Sequence, residues 1–260
     1  MKMGIALITG ASSGIGRDIA ELFARDSHDV ILVARRREKL EEIADELRQK
    51  FQIQAHVFEC DLSVPGAPGE LVESIESAGL RVDFLVNNAG FGTLGKFWEL
   101  DTQKELDQIQ VNVSALVHLT SLLLPGMVQR DFGKVLNIAS TAAFQAGPFM
   151  ATYYATKAFV VSFSEALDHE LDGTRVSVTA HCPGATATEF SSVSGNEEAR
   201  LFKMQTPAKS ENVALDAYQA MMEGKRVKIH GLKNAFGAVM AQIGPRKVAT
   251  ALAAKMNERP

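Results

Sequence analysis

Residues Ile5 to Gly16 read IALITGASSGIG, an apolar strand that runs into a glycine-rich turn and then into a helix. Glycines let such a turn tighten and let its backbone approach a pyrophosphate, and the helix offers unpaired N–H groups and the positive end of its dipole. The spacing is G-x-x-x-G-x-G and not the standard G-x-G-x-x-G, but it opens a βαβ unit, which strengthens the signal. The stretch predicts a dinucleotide site formed by Gly10, Ser12, Ser13, Gly14, Ile15 and Gly16.

The same turn also fits the G-x-S-x-G nucleophile elbow of α/β-hydrolases, with Ser12 as the nucleophile. An elbow comes after several strands and is followed by an acid and then a histidine. This turn follows the first strand, and Gly16 continues a phosphate-binding pattern that an elbow does not need. We favour the phosphate-binding interpretation. The hydrolase alternative predicts that Ser12→Ala inactivates the protein.

Apolar, β-branched runs alternate with helix-period segments along the chain. Strands are predicted at Ile5–Thr9, Val30–Ala34, Ala55–Glu59, Phe84–Asn87, Lys134–Ala139, Arg175–His181 and Val227–His230, and helices at Arg37–Phe51, Thr102–Arg130 and Tyr153–Glu170. Apolar strands that alternate with helices form parallel sheets covered on both faces. The sequence therefore predicts an α/β fold, a doubly wound Rossmann sheet of about seven parallel strands with helices on both faces.

Length and composition indicate one domain. With 260 residues, of which 46% are hydrophobic and 22% charged, the chain can bury one α/β core, and residues 1–260 are predicted to form a single NAD(P)-binding domain. Two parts fall outside the alternating pattern. An irregular segment at about 184–209 is interpreted as a substrate loop, with a plain surface excursion as the alternative. A moderately apolar segment at about 231–256 is interpreted as a helical tail that closes the pocket or an interface.

Charge and cysteine usage exclude several classes of protein. The net charge of −4 disfavours a nucleic-acid binder, which carries a basic face. Cys60 and Cys182 lie far apart and outside any C-x-x-C pair, so no metal site is predicted. We expect reduced thiols in a cytoplasmic protein. No apolar run approaches the ~18 residues of a membrane span, and the first residues lack the features of a signal peptide, so we expect neither.

Arginines follow the second predicted strand. An NAD site places an acid there for the ribose hydroxyl, but this strand ends at Ala34 and continues with Arg35-Arg36-Arg37. Guanidinium groups grip phosphate in a bidentate way, which suits the 2′-phosphate of NADP. The pattern therefore predicts NADP(H) binding through Arg35 and then Arg36, against the alternative of a solvated basic turn.

Tyr153 and Lys157 lie four residues apart in a predicted helix and share one face. A neighbouring ammonium favours the phenolate, so we expect Lys157 to lower the pKa of Tyr153. Ser140 follows a predicted strand, and Asn112 is an amide in mid-helix, where it hints at a role beyond packing. Tyr-x-x-x-Lys is weak alone. Its weight comes from convergence, because Gly10, Arg35, Asp61, Asn87, Ser140 and Gly184 all follow separate strands, where parallel sheets bind ligands.

Taken together, these motifs resemble those of the short-chain dehydrogenase/reductase family, in its compact single-domain, NADP(H)-preferring branch. The matching pieces run in family order from the first strand to about Thr188; they are Thr9-Gly10-x-x-x-Gly14-Ile15-Gly16, Asp61-Leu62, Asn87-Asn88-Ala89-Gly90, Asn112, Ser140, Tyr153-x-x-x-Lys157 and Pro183-Gly184-x-x-x-Thr188.

The resemblance implies a role for each matching residue. Tyr153 would be the general acid, Ser140 would polarise the carbonyl, Lys157 would lower the Tyr153 pKa and hold the nicotinamide ribose, and Asn112 would bind a water in a proton relay. The other residues implied in cofactor binding are Asp61, Leu62, Asn87, Ala89, Gly90, Pro183, Gly184, Thr186 and Thr188. The family commonly forms homodimers or homotetramers through two long helices, here Thr102–Arg130 and Tyr153–Glu170.

The function expected is that of an NADP(H)-dependent oxidoreductase that reduces a ketone or aldehyde to an alcohol, and the reverse. Phe91, Phe144, Phe149 and Phe190 near the expected pocket favour an apolar substrate, although each could equally be core packing. A sensor or scaffold that binds the cofactor without turnover is the alternative. Sugar epimerases and dehydratases of the same family usually carry a larger C-terminal substrate domain, for which little chain remains.

Overall fold

The computed structural model describes residues 4–190 and 207–258, and its centre is a seven-stranded parallel sheet. In chain order the strands are β1 Ile5–Thr9, β2 Asp29–Ala34, β3 Ala55–Glu59, β4 Val82–Asn87, β5 Gly133–Ile138, β6 Val176–Cys182 and, after two short strands described below, β9 Val227–Ile229. They lie in the order β3-β2-β1-β4-β5-β6-β9, and every neighbouring pair is parallel. The predicted fold class is therefore confirmed.

The strands are apolar on both faces because helices cover both. Alternate residues point to opposite sides, so Ile8 and Leu32 belong to one core cluster while Leu7 and Ile31 belong to the other. The first cluster is covered by α1 Gly14–Arg25, α2 Arg37–Phe51 and α7 Ser210–Met222. The second is covered by α3 Ala67–Ser77, α5 Leu116–Gln129 and the end of α6 Ala151–Glu170.

Strand ends agree with the sequence prediction to within two residues, and α2 agrees at both ends. The largest strand difference is β4, which begins at Val82 and not at Phe84. The register shifts at this point, where Asp83 interrupts the apolar pattern. Asp83 is nonetheless buried, and its carboxylate accepts a 3.3 Å hydrogen bond from the Ile5 backbone N–H.

The long helix predicted at Thr102–Arg130 is present over Thr102–Gln129 but is not uniform. It starts as α4 Thr102–Ile109, widens into a π-helical segment at Gln110–Ala115 and continues as α5. Within the described residues, Thr102–Gln129 is the one helical run long and apolar enough to cross a membrane, with a mean hydropathy of 1.6. Core helices share this character, and here Leu116, Leu119 and Met127 are buried in the fold.

The predicted substrate loop and tail differ in how much of them is described. Residues 191–206 of the 184–209 segment lie outside the described residues, and its ends form a small parallel pair, β7 Thr186–Ala187 and β8 Ala208–Lys209. The tail forms two helices, α8 Leu232–Ile243 and α9 Arg246–Asn257. α8 turns large apolar side chains outward, among them Leu232, Phe236 and Ile243 at 70–90% exposure.

Candidate active site

One cavity of about 720 Å³ runs along the carboxyl edge of the sheet. It lies where the strand order reverses, because the chain leaves β1 toward β2 and returns to place β4 on the other side of β1. Loops diverge at such a point and leave a crevice. Of the residues predicted from sequence, the cavity is lined by Gly10, Ser12, Ser13, Gly14, Ile15, Arg35, Arg36, Asp61, Leu62, Ala89, Gly90, Ser140, Tyr153, Lys157, Pro183, Gly184, Thr186 and Thr188.

The glycine-rich turn is held close to the loop after β4. Gly10 has a φ of +65°, and a Cβ there would lie 2.9 Å from Asn88 Nδ2 and 3.0 Å from Ala89 Cα, so the position requires glycine. Gly16 does not line the cavity. A Cβ on it would come within 2.5 Å of the Gly10 carbonyl oxygen, so its role is to let α1 pack against the turn.

Thr9 and Asn88 brace this turn, and Thr9 was not among the predicted site residues. The Thr9 hydroxyl donates to the Val86 carbonyl at 3.2 Å and accepts from the backbone N–H groups of Asn88 and Ala89, both at 3.0 Å. Asn88 Nδ2 donates to the Thr9 carbonyl at 2.9 Å. The sequence could have indicated this contact. Thr9 ends β1 and Asn88 follows the neighbouring strand β4, and the ends of parallel strands meet at one edge of the sheet.

Asn87 departs from the expectation that it lines the cofactor. It is 4% exposed and lies below the cavity, where its amide nitrogen donates to Asn137 Oδ1 at 2.8 Å and to Thr120 Oγ1 at 3.2 Å. The cause is the period-two alternation of the strand, which turns the last residue of β4 toward α5 and exposes Asn88 at the edge.

Arg35 and Arg36 lie at the end of the cavity that is next to the end of β2. Arg36 Nη2 donates to the Ser12 hydroxyl at 2.9 Å, and the same group contacts Glu189 Oε2 at 2.8 Å. Burial raises the pKa of Asp61, but hydrogen bonds from Ser63 and the nearby Arg35 outweigh that effect and lower it. Ser12 is thus hydrogen-bonded to a guanidinium, an arrangement that suits a phosphate site and differs from the histidine-activated serine of a hydrolase.

Ser140 and Tyr153 meet at the other end of the cavity. Ser140 follows β5 and is fixed there, since its Oγ accepts from the Ala142 N–H at 3.1 Å. Ser140 and Tyr153 of α6 both line the cavity. Burial raises the pKa of Tyr153 to about 12, while the neighbouring Ser140 hydroxyl acts in the opposite direction. The phenol is therefore protonated through the neutral range and is available as a proton donor.

Lys157 is buried one helical turn from Tyr153. Its Nζ donates to the Ile138 carbonyl at 2.7 Å and lies 5.8 Å from the centre of the Tyr153 ring. Burial lowers the pKa of Lys157 to about 8. The spacing of Tyr153 and Lys157 predicted that the ammonium would lower the Tyr153 pKa; in this structure desolvation of the phenol is the largest effect and the shift is upward.

Asn112 lies in the π-helical segment behind the cavity lining. It is 1% exposed. Its Oδ1 accepts from the Phe91 N–H at 3.1 Å, and its Nδ2 donates to the Phe91 carbonyl at 2.9 Å and to Thr156 Oγ1 at 3.1 Å. The side chain therefore ties the loop after β4 to α6, beside Lys157.

The substrate end of the cavity is apolar and includes the tail. Of the four phenylalanines predicted near the pocket, Phe91 and Phe190 line it, whereas Phe144 and Phe149 pack outside the lining. Residues that the sequence analysis did not single out also line it, namely Met150, Tyr154, Asn234, Met256 and Asn257. The tail helices therefore bound the cavity.

A separate polar cluster lies beside β6. Among the described residues, His181, Asp216 and His230 are the one group whose ligand atoms all fall within 4.8 Å of one another. Asp216 Oδ2 contacts His181 Nε2 at 3.1 Å and His230 Nδ1 at 3.0 Å, but its Oδ1 is paired with Lys228 at 3.0 Å. A metal ion would have to compete with this ammonium, so we interpret the cluster as an ion-pair network.

Comparisons with known proteins agree with this geometry. The sequence profile described as short chain dehydrogenase matches residues 4–199. The chain is 36% identical over 216 residues to sulfoacetaldehyde reductase 2 of Chromohalobacter salexigens, covering 81% of this chain and 85% of the other. It is 37% identical over 191 residues to the NADP-dependent 3-hydroxy acid dehydrogenase YdfG of Escherichia coli K12, covering 73% and 75%. A solved short-chain dehydrogenase from Sphingobium yanoikuyae in complex with NADPH matches with a TM-score of 0.81 at 31% identity, over 93% of this chain and 97% of the other. This protein therefore belongs to the short-chain dehydrogenase/reductase family of oxidoreductases, and the resemblance in its motifs is confirmed.

Proposed function

We propose that the protein is an NADP(H)-dependent oxidoreductase that reduces a ketone or aldehyde to an alcohol, and catalyses the reverse, with Tyr153 as general acid and base. The observation that carries the proposal is that Ser140 and Tyr153 line the same cavity as the glycine-rich turn, with Lys157 beside the Tyr153 ring. Two hydroxyl groups can both donate to one carbonyl oxygen, and the cavity gives that carbonyl access to a dinucleotide.

The cofactor is NADP(H). The residues fit it, because the turn at Gly10 leaves no room for a side chain and Arg36 lies next to Ser12 at the end of β2. A relative named NADP-dependent and a solved relative in complex with NADPH support the same choice. When bound, the cofactor supplies or accepts the hydride at the carbonyl carbon. The residues that would hold it are the cavity-lining residues named above between Gly10 and Thr188.

The protein's own residues handle the proton. Tyr153, kept neutral by its raised pKa, donates its proton to the developing alkoxide, and Ser140 donates a hydrogen bond to the same oxygen. Lys157 holds its ammonium beside the Tyr153 ring through the Ile138 carbonyl, where it stabilises the phenolate that proton transfer leaves. Asn112 fixes the loop at Phe91 and is the residue through which a water would return the proton.

The substrate is an apolar carbonyl compound. Phe91, Met150, Phe190 and Met256 line the substrate end, so burial of apolar surface favours a ligand with a hydrocarbon or aromatic body. The relatives are named for sulfoacetaldehyde and 3-hydroxy acids, small carbonyl and alcohol compounds. The cavity lining best supports the same reaction on a carbonyl compound that carries a bulkier apolar group.

We also propose how the chain is organised as a domain and as an oligomer. Residues 1–260 act as one domain, with residues 184–190 of the predicted 184–209 segment bounding the substrate and the tail of 231–256 closing the cavity. Exposed apolar side chains on the predicted long helices, among them Leu106, Leu122 and Phe159, support a homodimer or homotetramer formed through these helices. We place the enzyme in the cytoplasm, where NADP(H)-linked reduction is common.

The test is NADPH oxidation, followed by its absorbance, against a panel of aldehydes, ketones and β-ketoacyl esters. Wild type should turn over apolar ketones with NADPH and more slowly with NADH, and Tyr153→Phe should not. Hydrolysis of the esters in the absence of NADPH that survives in Tyr153→Phe and is lost in Ser12→Ala would reverse the assignment in favour of a hydrolase. NADPH binding without turnover on any substrate would favour a sensor.

A further inference from the structure

Glu189 reaches across the cations at the end of β2. Its Oε2 lies 2.8 Å from Arg36 Nη2 and its Oε1 lies 3.3 Å from Lys39 Nζ. The hydrogen bond from Arg36 is the largest of the effects that lower the Glu189 pKa to about 2. The carboxylate is therefore ionised at neutral pH. The ionised Glu189 carboxylate is therefore paired with the Arg36 guanidinium, which we assign to the 2′-phosphate of NADP(H).

The neighbours of Glu189 extend this contact to both ends of the site. On one side, Thr188 lies over the glycine-rich turn, where a Cβ on Gly14 would come within 2.8 Å of Thr188 Cγ2. On the other side, the Phe190 ring lies 5.3 Å from the Tyr153 ring, centre to centre. Residues 188–190 therefore connect the phosphate end of the cavity to the proton donor.

We propose that Glu189 is a placeholder for the 2′-phosphate of NADP(H): the carboxylate pairs with Arg36 and Lys39 in the free enzyme, and the phosphate displaces it and moves Phe190 relative to Tyr153. This inference rests on the proposed function, because it requires that the enzyme binds a 2′-phosphorylated nucleotide at Arg36. It adds a residue that sets cofactor affinity and couples it to the substrate end.

The displacement follows from charge. A 2′-phosphate carries close to two negative charges and three strong acceptor oxygens, whereas the carboxylate carries one charge and two. Both cannot remain on one guanidinium without strong repulsion, so the more highly charged group takes the site. NAD(H) lacks this phosphate and leaves the Glu189 ion pairs in place. The enzyme should therefore bind the 2′-phosphate less tightly than it would if Arg36 and Lys39 were not paired with Glu189.

The test compares adenosine 2′,5′-bisphosphate with 5′-AMP by calorimetry, since the two ligands differ only in the 2′-phosphate. Exposed ion pairs are weak, so Glu189→Gln should tighten the bisphosphate by about two- to fivefold and leave 5′-AMP unchanged. The matched control is Glu41→Gln, which removes a similar surface pair with Arg37 but does not touch Arg36. This control should change neither Kd.

A fluorescence reporter tests the coupling to residue 190. The single tryptophan, Trp98, is replaced by phenylalanine, and Phe190→Trp supplies the signal. The bisphosphate should change its emission when Glu189 is present and not in the Glu189→Gln background, and 5′-AMP should have no effect in either. An emission change of the same size in both backgrounds would overturn the coupling.

The outcomes separate the two proposals. If the bisphosphate binds wild type more tightly than 5′-AMP but Glu189→Gln changes neither Kd, or changes both equally, the placeholder role is wrong and the cofactor assignment stands. If wild type does not prefer the bisphosphate at all, the NADP(H) assignment fails and the placeholder role fails with it.

Discussion

The Nζ of Lys157 donates a 2.7 Å hydrogen bond to the carbonyl oxygen of Ile138, the last residue of β5. This bond joins α6 to the strand that leads to Ser140, so the ammonium, the serine and Tyr153 share one rigid support. The bond also accounts for a charged side chain at 5% exposure, because a buried ammonium is tolerated only with a strong acceptor.

Removing the Lys157 charge should separate catalysis from stability. Lys157→Met keeps an unbranched side chain that is one atom shorter, removes the desolvated charge and leaves the Ile138 carbonyl without this donor. These effects oppose each other, so the net change in the free energy of unfolding at neutral pH should be within about 1–2 kcal/mol. The loss of the ammonium beside Tyr153 should lower kcat by about 10²-fold or more. Urea unfolding and turnover at saturating NADPH measure the two effects.

The same variant makes a prediction about pH. The Lys157 pKa is about 8 in the folded protein and 10.5 in the reference state, so the unfolded chain binds more protons between these values. The free energy of unfolding of wild type should therefore rise with pH from about 8 to about 10.5, relative to Lys157→Met, by an amount on the order of 1–3 kcal/mol. Other buried groups titrate in both proteins, so their contributions to this difference in the free energy of unfolding largely cancel. A difference that is flat or falls across this window would show that the ammonium is not desolvated.

Tyr153→Phe and Tyr154→Phe form a matched pair on one helix. Tyr153→Phe removes the proposed proton donor and should lower kcat by about 10²- to 10⁴-fold with little change in the Kd of NADPH. Tyr154 instead donates a 3.3 Å hydrogen bond to Asn257 in the tail. Tyr154→Phe should lower the free energy of unfolding by about 1 kcal/mol and retain turnover. Equal losses of kcat in the two variants would argue against a specific role for the Tyr153 hydroxyl.

Gly10→Ala and Gly79→Ala separate backbone strain from close approach. Both glycines have positive φ, +65° and +73°, so alanine strains both by about 1 kcal/mol. No atom of the described residues lies within 4 Å of a Cβ on Gly79, whereas Gly10 faces Asn88 and Ala89 at 2.9–3.0 Å. Gly10→Ala should therefore unfold at clearly lower urea and weaken NADP⁺ binding tenfold or more, about 1.4 kcal/mol. Gly79→Ala should leave the Kd of NADP⁺ unchanged, and a comparable loss there would point to strain alone.

Arg36→Ala tests the cofactor assignment. A hydrogen bond to a charged group contributes about 1.5–3 kcal/mol, so the Kd of NADP⁺ should rise about 10- to 100-fold while that of NAD⁺ stays nearly the same. Arg37→Ala is the control, since Arg37 contacts Glu41 at 3.5 Å on the exposed side of α2. Calorimetric titration with both nucleotides distinguishes them. Similar losses for NADP⁺ and NAD⁺ in Arg36→Ala would mean that Arg36 supports the fold and not the 2′-phosphate.

The fold was largely predictable because its signals are local. The apolar strands, the glycine-rich turn and the 3.6-residue period of α2 each lie within a short window, and the two-residue period explains both faces of the sheet. The same period could have corrected Asn87, since a residue at the end of a strand faces opposite to its neighbour Asn88. The site residues that follow strands were predictable for the same reason.

What the sequence could not provide depends on distant contacts and desolvation. Glu189 meets Arg36 across 153 positions of the chain, and no pattern around either residue indicates the pair. The upward shift of the Tyr153 pKa depends on how deeply the phenol is packed, which the spacing of Tyr153 and Lys157 does not encode. Within Thr102–Gln129, apolar periodicity predicts a helix but does not distinguish an α-helical turn from a π-helical one.

The π-helical segment at Gln110–Ala115 holds one residue more than a continuous α-helix would need over the same turn. Deletion of a single residue there would restore continuous α-helix and leave α4 and α5 close to their present relative rotation. Deletion of one residue within α4 or α5 would instead rotate the parts on its two sides by about 100° against each other. Such a rotation would carry Glu105, whose carboxylate accepts from Thr93 and Thr152, away from both partners. Among natural or designed length variants of this protein, a one-residue gap within Thr102–Gln129 should therefore fall at 110–115.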